Sequence, residues 1–160
     1  MTQYAAKTEV SPEKSRAEIE ATLNRYGATA FSYGWEESRA VLAFKMHDRH
    51  VRFEIAMPLP DEERFHQYKR GDSWHKRTEE AAKKEWQQAI RQRWRALALV
   101  VKAKLEAVES GITEFEAEFM AHIVMPDGRT VGQHIRPQIK VAYESGEMPT
   151  RLLPAYGGTE

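Results

Sequence analysis

Residues 31–57, FSYGWEESRAVLAFKMHDRHVRFEIAM, decide the fold of this chain. Phe31, Tyr33 and Trp35 alternate with Ser32 and Gly34. Leu42, Phe44 and Met46 alternate with Val41, Ala43 and Lys45. Val51, Phe53, Ile55 and Met57 alternate with Arg52, Glu54 and Ala56. A period of two sends successive side chains to opposite faces, so each run predicts a strand with one dry face. Glu36-Glu37-Ser38 and His47-Asp48-Arg49 are polar breaks short enough for hairpins. The stretch reads as a three-stranded antiparallel meander. Its second face, with Arg52, Lys45 and small residues, is either open to solvent or covered by the later part of the chain.

Upstream, Ser11 before Pro12 is an N-cap followed by proline at the first helical position. Ile19, Leu23 and Tyr26 recur at helical spacing before Gly27. A helix over 12–26 is therefore predicted to cover the aromatic face of the meander, behind a flexible lead-in at 1–10. Downstream, Pro58-Leu59-Pro60 ends the sheet, because proline cannot continue a ladder. Residues 61–77, DEERFHQYKRGDSWHKR, show no clear period and read as a long polar loop. Loops of that length are usually functional or disordered.

Thr78-Glu79-Glu80 opens a long helix over 78–109, with Trp86, Ile90, Trp94, Leu97, Val101, Leu105 and Val108 on one stripe. At 1.5 Å per residue it spans roughly 48 Å, too long for a compact domain of this size. The spacing thus predicts a kink, or an end projecting into a partner. After Ser110-Gly111, Thr113 and Glu116 read as a capping box for a short helix carrying Phe115 and Phe119. Thr130 caps a last helix with Val131, Ile135, Ile139 and Tyr143, kinked at Pro137 and closed by Gly146. The fold class is α+β: an N-terminal helix on a three-stranded antiparallel meander, then a long central helix and a helical C-terminal part. The parts are an α-β-β-β layer over 1–60, a basic and aromatic loop over 61–77, and a helical part over 78–149. The layer and the helical part pack as one domain, and 150–160 forms a loose tail.

The chain has 160 residues, of which 41% are hydrophobic and 30% charged, the composition of a soluble globular domain. No run approaches the ~20 apolar residues that span a bilayer, and MTQYAAKTEV lacks the layout of a secretory signal. No membrane partner is therefore expected. There is no cysteine, which excludes disulfides, thiol catalysis and iron–sulfur clusters and fits a reducing cytoplasm. The neutral total hides a segregation of charge. Residues 1–63 carry eight Lys/Arg against eleven Asp/Glu, 64–104 twelve against four, and 105–160 four against nine. Either the blocks neutralise one another within the fold or across a homo-oligomer, or the middle block faces an anion.

Two blocks carry a family resemblance. Residues 7–28, KTEVSPEKSRAEIEATLNRYGA, and 88–132, QAIRQRWRALALVVKAKLEAVESGITEFEAEFMAHIVMPDGRTVG, resemble an uncharacterised family of short proteins encoded by tailed bacteriophages and prophages. The resemblance covers most of the chain and thins over 59–77 and the tail. It implies a phage accessory protein in the bacterial cytoplasm. Such proteins handle DNA, modify host regulation or blunt host defence.

Chemistry is sparsely marked. His47, Asp48 and His50 offer two imidazoles and a carboxylate, but one tight turn lacks a third ligand from elsewhere. They read as exposed hairpin residues. No serine sits in a G-x-S-x-G elbow, and the glycine-rich phosphate loops are absent. Adjacent acidic pairs such as Glu79-Glu80 point different ways. No catalytic residue, metal site or cofactor is marked, and an enzyme would be unadvertised. The remaining signal is basic and aromatic. Arg64, Lys69, Arg70, Lys76 and Arg77 alternate with Phe65, Tyr68, Trp74 and His75, and Arg91 and Arg95 follow on the long helix. Cations neutralise phosphates and exposed rings stack on bases. Trp86 and Trp94 lie on the apolar stripe and read as core, which leaves Trp74 to stack.

The expected ligand surface is therefore Arg64, Tyr68, Lys69, Arg70, Trp74, Lys76, Arg77, Arg91 and Arg95, taking nucleic acid or a nucleotide signal of host defence. Two alternatives compete with it. The acidic block Glu106, Glu109, Glu114, Glu116 and Glu118 could consume these charges. The protein could instead inhibit or regulate a host protein through the projecting helix and the sheet. A homo-oligomer suits either function.

Overall fold

Alternation forms the meander as it dictates. In the computed structural model, which describes residues 5–36 and 38–153, β1 (Ala30–Glu36), β2 (Arg39–Met46) and β3 (Arg49–Ala56) pair antiparallel in that order. The register sets Phe31 opposite Phe44 and Phe44 opposite Val51, with Tyr33, Leu42 and Phe53 in the next row. One face is thus apolar across all three strands, and Ala40, Leu42, Phe44, Met46, Val51 and Phe53 are buried. His47 and Asp48 form the two-residue β2–β3 link with φ of 49° and 58°. That left-handed pair makes the type I′ turn whose twist matches its strands.

The dry face is covered by more than the first helix. α1 (Pro12–Arg25) starts where the Ser11 hydroxyl accepts from the Lys14 amide at 3.2 Å, and it buries Ile19 and Leu23. Its main neighbour is another helix, α3 (Glu79–Glu109). Trp94 of α3 meets Tyr33 edge-on, with ring centroids 6.3 Å apart. α3 runs its 31 residues as one unbroken helix, capped by the Thr78 hydroxyl on the Ala81 amide. It does not project bare, because α1, α2 (Glu63–His66) and α4 (Phe115–Phe119) pack along it. Its stripe residues Trp94, Leu97, Val101 and Leu105 are buried inside the fold, so they are not a free oligomer seam.

Three other local expectations need correction. Residues 61–77 are not a loop: they form α2 and the hairpin β4 (Gln67–Arg70) and β5 (Ser73–Lys76). Thr113 does not cap α4. Its amide donates to the Ala107 carbonyl to close α3, and Glu114 takes the N-cap position with no side-chain bond. The lead-in is held where it is described: Gln88 Nε2 donates to the carbonyls of Ala6 at 3.0 Å and Thr8 at 2.9 Å. Residues 1–4 and most of the tail, 154–160, lie outside the described residues. The Leu152 carbonyl, at the tail's start, accepts from Gln138 at 2.7 Å.

α5 (Val131–Ser145) begins with a full capping box between Thr130 and Gln133. Pro137 has no N–H to offer the Gln133 carbonyl, and the Arg129 guanidinium fills that place at 3.1 Å. Gly146, at φ 75°, closes the helix. α5 rests on a 3-10 turn at Met120–His122. A Cβ on Gly132 would come within 2.7 Å of the Ala121 carbonyl oxygen, and backbone cannot yield as a side chain can. Gly132→Ala is expected to cost about 1–3 kcal/mol, as overpacking does, and to speed amide exchange along 131–145. An unchanged melting temperature would contradict this close packing.

His122 stacks on Phe53 with centroids 4.0 Å apart. Burial holds its imidazole below the ordinary value of 6.5. Lys104 adds to that shift, and a hydrogen bond to the Arg52 backbone opposes it. The unfolded chain therefore binds this proton more readily, so stability is lost as pH falls below about 6.5. His122→Phe is expected to flatten the stability profile between about pH 7 and pH 5. A profile as steep as the wild type's would show that other groups carry the effect.

Candidate nucleic-acid interface

The segment after Pro60 becomes a ribbon because of Gly71-Asp72. Gly71 sits at φ 59° as the first central residue of a two-residue link, the position where the type II′ turn requires glycine. The pairs are Gln67 with Lys76, Tyr68 with His75, Lys69 with Trp74, and Arg70 with Ser73. Directly opposed residues share a face. One face therefore presents Lys69, Trp74 and Lys76 together. The other presents Arg70 beside the Tyr68–His75 pair, whose rings stack at 5.5 Å. Residues 68–76 are exposed, and Trp74 is 67% accessible.

A two-stranded hairpin is marginal alone, and this one is anchored at its base. The Arg77 amide donates to the His66 carbonyl at 2.7 Å. The Arg77 guanidinium donates to the carbonyls of Arg64, Phe65 and Gln67 and lies 5.3 Å from the Tyr68 ring centre. Phe65 is buried where α2 packs on α3. Arg64 covers the Phe65 ring at 4.6 Å and pairs with Glu62 at 2.6 Å. The Leu59 amide and then Arg64 hold the Glu62 carboxyl below its usual range. Trp86, half-buried, donates to the Pro58 carbonyl at 2.8 Å, tying the ribbon's approach to α3.

This geometry sorts the nine residues named from sequence. Tyr68, Lys69, Arg70, Trp74 and Lys76 come together on the ribbon. Arg64 and Arg77 stand at its base, with their guanidiniums already engaged. Arg91 and Arg95 lie roughly 18 Å and more along α3 from its start. Arg91 bonds Gln88 Oε1 at 2.7 and 2.9 Å, and Arg95 pairs with Glu18 of α1. Charge blocks thus do neutralise one another along α3, where Lys104 also pairs with Glu118 at 2.6 Å. Glu106 accepts from the Tyr26 hydroxyl, and Glu116 pairs with Arg49 at 2.6 Å. None of these acids engages the ribbon. Lys69, Arg70 and Lys76 have no ion pair or hydrogen bond among the described side chains.

Sequence reasoning missed the structural work of Arg77, although its signal was present as Gly-Asp between two aromatic-basic runs. Arg77→Ala is expected to raise amide exchange across 67–76 markedly while the rest of the chain keeps its protection. The half-buried Phe65 and Gln67 carbonyls and the exposed Arg64 carbonyl would lose a charged donor, worth about 1–3 kcal/mol locally. Ribbon protection equal to the wild type's would show that the anchor lies elsewhere.

Among the described residues no group of three or more His, Asp or Glu converges as a metal site, and His47 sets its ring against Phe115 at 4.9 Å. No helix among them is long and apolar enough to cross a membrane. No protein-family model, curated protein or solved structure matches the chain.

Proposed function

We propose that this protein binds nucleic acid without chemistry, with the β4–β5 ribbon as the contact element. The observation that carries the reading is the set of three unengaged cations, Lys69, Arg70 and Lys76, around an exposed Trp74 on an anchored ribbon. The major groove of B-DNA admits a two-stranded ribbon, and unpaired bases stack on exposed rings. Both ribbon faces are open, which suits a polymer better than an enclosed nucleotide signal. The resemblance over 7–28 and 88–132 supports a phage accessory role in the bacterial cytoplasm, with phage or host nucleic acid as target.

Fluorescence anisotropy at low salt tests it, with labelled single-stranded DNA, duplex DNA, RNA and a cyclic dinucleotide. Binding to a polymer and not to the cyclic dinucleotide is the expected result. Binding of the cyclic dinucleotide alone would replace the reading with a signal-binding one. The protein–protein alternative gains one observation. α5 shows more apolar side chains to solvent than α3, with Tyr143 88% accessible and Ile139 and Val141 also exposed, against Val100 on α3. Tyr143→Lys would abolish capture of a host protein and leave polymer binding unchanged.

A further inference from the structure

Among the described residues β1 is an edge strand whose one ladder neighbour is β2. The short links fix which backbone groups face the free edge. Glu36 with Arg39, and Met46 with Arg49, close two-residue hairpins, so they are hydrogen-bonded pairs and such pairs alternate from there. Ala30, Ser32, Gly34 and Glu36 therefore bond β2, while the N–H and C=O groups of Phe31, Tyr33 and Trp35 point outward. Exposed edges are normally guarded by lysine, proline, a bulge or an inward charge. The strand AFSYGWE has neither lysine nor proline and a single charge at its end. Tyr33 and Trp35, 44% and 67% accessible, stack at 6.2 Å with the Arg16 guanidinium 5.2 and 5.8 Å from their centres.

We propose that this edge pairs with the same edge of a second copy, antiparallel about a two-fold axis at Tyr33. In that register Tyr33 meets Tyr33, Phe31 meets Trp35, Ser32 meets Gly34 and Ala30 meets Glu36 of the second copy. Every outward-pointing residue then faces an outward-pointing residue, and all their backbone donors and acceptors are satisfied. Aromatic rings meet aromatic rings on one face, and on the other Ser32 meets Gly34 between the two Ala30–Glu36 pairs.

The charges fit as well. Neither Glu36 nor Lys45 has an ion pair among the described residues. Lys45 stands opposite Ala30 on the open face. Glu36 of the second copy would lie on the far side of that alanine, two strand spacings or roughly 10 Å from Lys45. Both side chains are long enough to meet over the methyl group. The result is an isologous six-stranded sheet that closes at two copies. The edge shares no residue with the ribbon, so this inference stands apart from the nucleic-acid reading.

Sedimentation equilibrium of the whole chain at about 50 μM tests it, a concentration at which a micromolar dimer is populated. The expected mass is twice 18.5 kDa. Tyr33→Pro removes an outward N–H and leaves the β1–β2 bonds in place. It should raise Kd at least tenfold with an unchanged circular dichroism spectrum. Glu36→Lys should weaken the dimer likewise, and adding Lys45→Glu should restore it, a rescue that does not depend on the proline variant folding. A monomeric wild type at this concentration overturns the proposal. So does a dimer whose Kd is unmoved by Glu36→Lys, or one that the charge exchange fails to restore.

Discussion

Phe119→Ala should destabilise the fold by about 3–5 kcal/mol, the range for removing a buried ring. Phe119 is fully buried and meets Phe44 and Phe53 edge-on, with centroids at 5.8 and 6.3 Å. It also lies 4.8 Å from the Phe115 ring, and the Lys104 ammonium sits 5.8 Å from its centre. One side chain therefore joins two strands, its own helix and the stem of α3. Its loss opens a cavity that neighbours on rigid strands cannot collapse into. With total stability of about 5–15 kcal/mol for a domain of this kind, the variant should be near its unfolding midpoint under mild denaturant. Urea melts that differ by less than 1 kcal/mol would show that α4 is peripheral. Leu97→Ala, on the opposite helix, should cost about 2–5 kcal/mol by the same reasoning.

Where periodicity and capping agreed, the elements were legible. The meander, α1 and α3 each carried a strong period and a marked start: Ser11-Pro12 for α1 and Thr78 for α3. The ribbon was not legible by period, because four-residue strands exposed on both faces need no apolar alternation. Its only mark was the Gly71-Asp72 turn. Side-chain engagement was hidden too. Lys69 and Arg95 look alike in sequence, and only the approach of Glu18 on α1 distinguishes the engaged from the free. Thr113 failed as a cap for a similar reason: the backbone that closes α3 sets α4 to start one residue later, which leaves Glu114 at the N-cap position.

The ribbon predicts the second large effect. Replacing Lys69, Arg70 and Lys76 together with alanine should weaken nucleic-acid binding on the order of a hundredfold near 0.15 M salt. Each phosphate contact contributes roughly 0.7–0.9 of a decade in affinity per decade of salt. Trp74→Ala should weaken single-strand binding by about 1–3 kcal/mol with little change in salt dependence, since stacking releases no counterions. Charge reversal at Arg77 is a poor probe by comparison, because that guanidinium holds the hairpin base. Folding should survive the triple substitution, since none of the three side chains is buried.

The salt dependence of binding, measured for wild type and the triple alanine variant on one labelled oligonucleotide, decides whether the ribbon holds the nucleic acid. The expected result is a linear fall of log K with log salt in the wild type. In the variant the slope should be shallower by roughly 2–3, one step for each cation removed. Equal slopes, or no binding by the wild type even at the lowest salt, would contradict the assignment of this ribbon as the nucleic-acid contact.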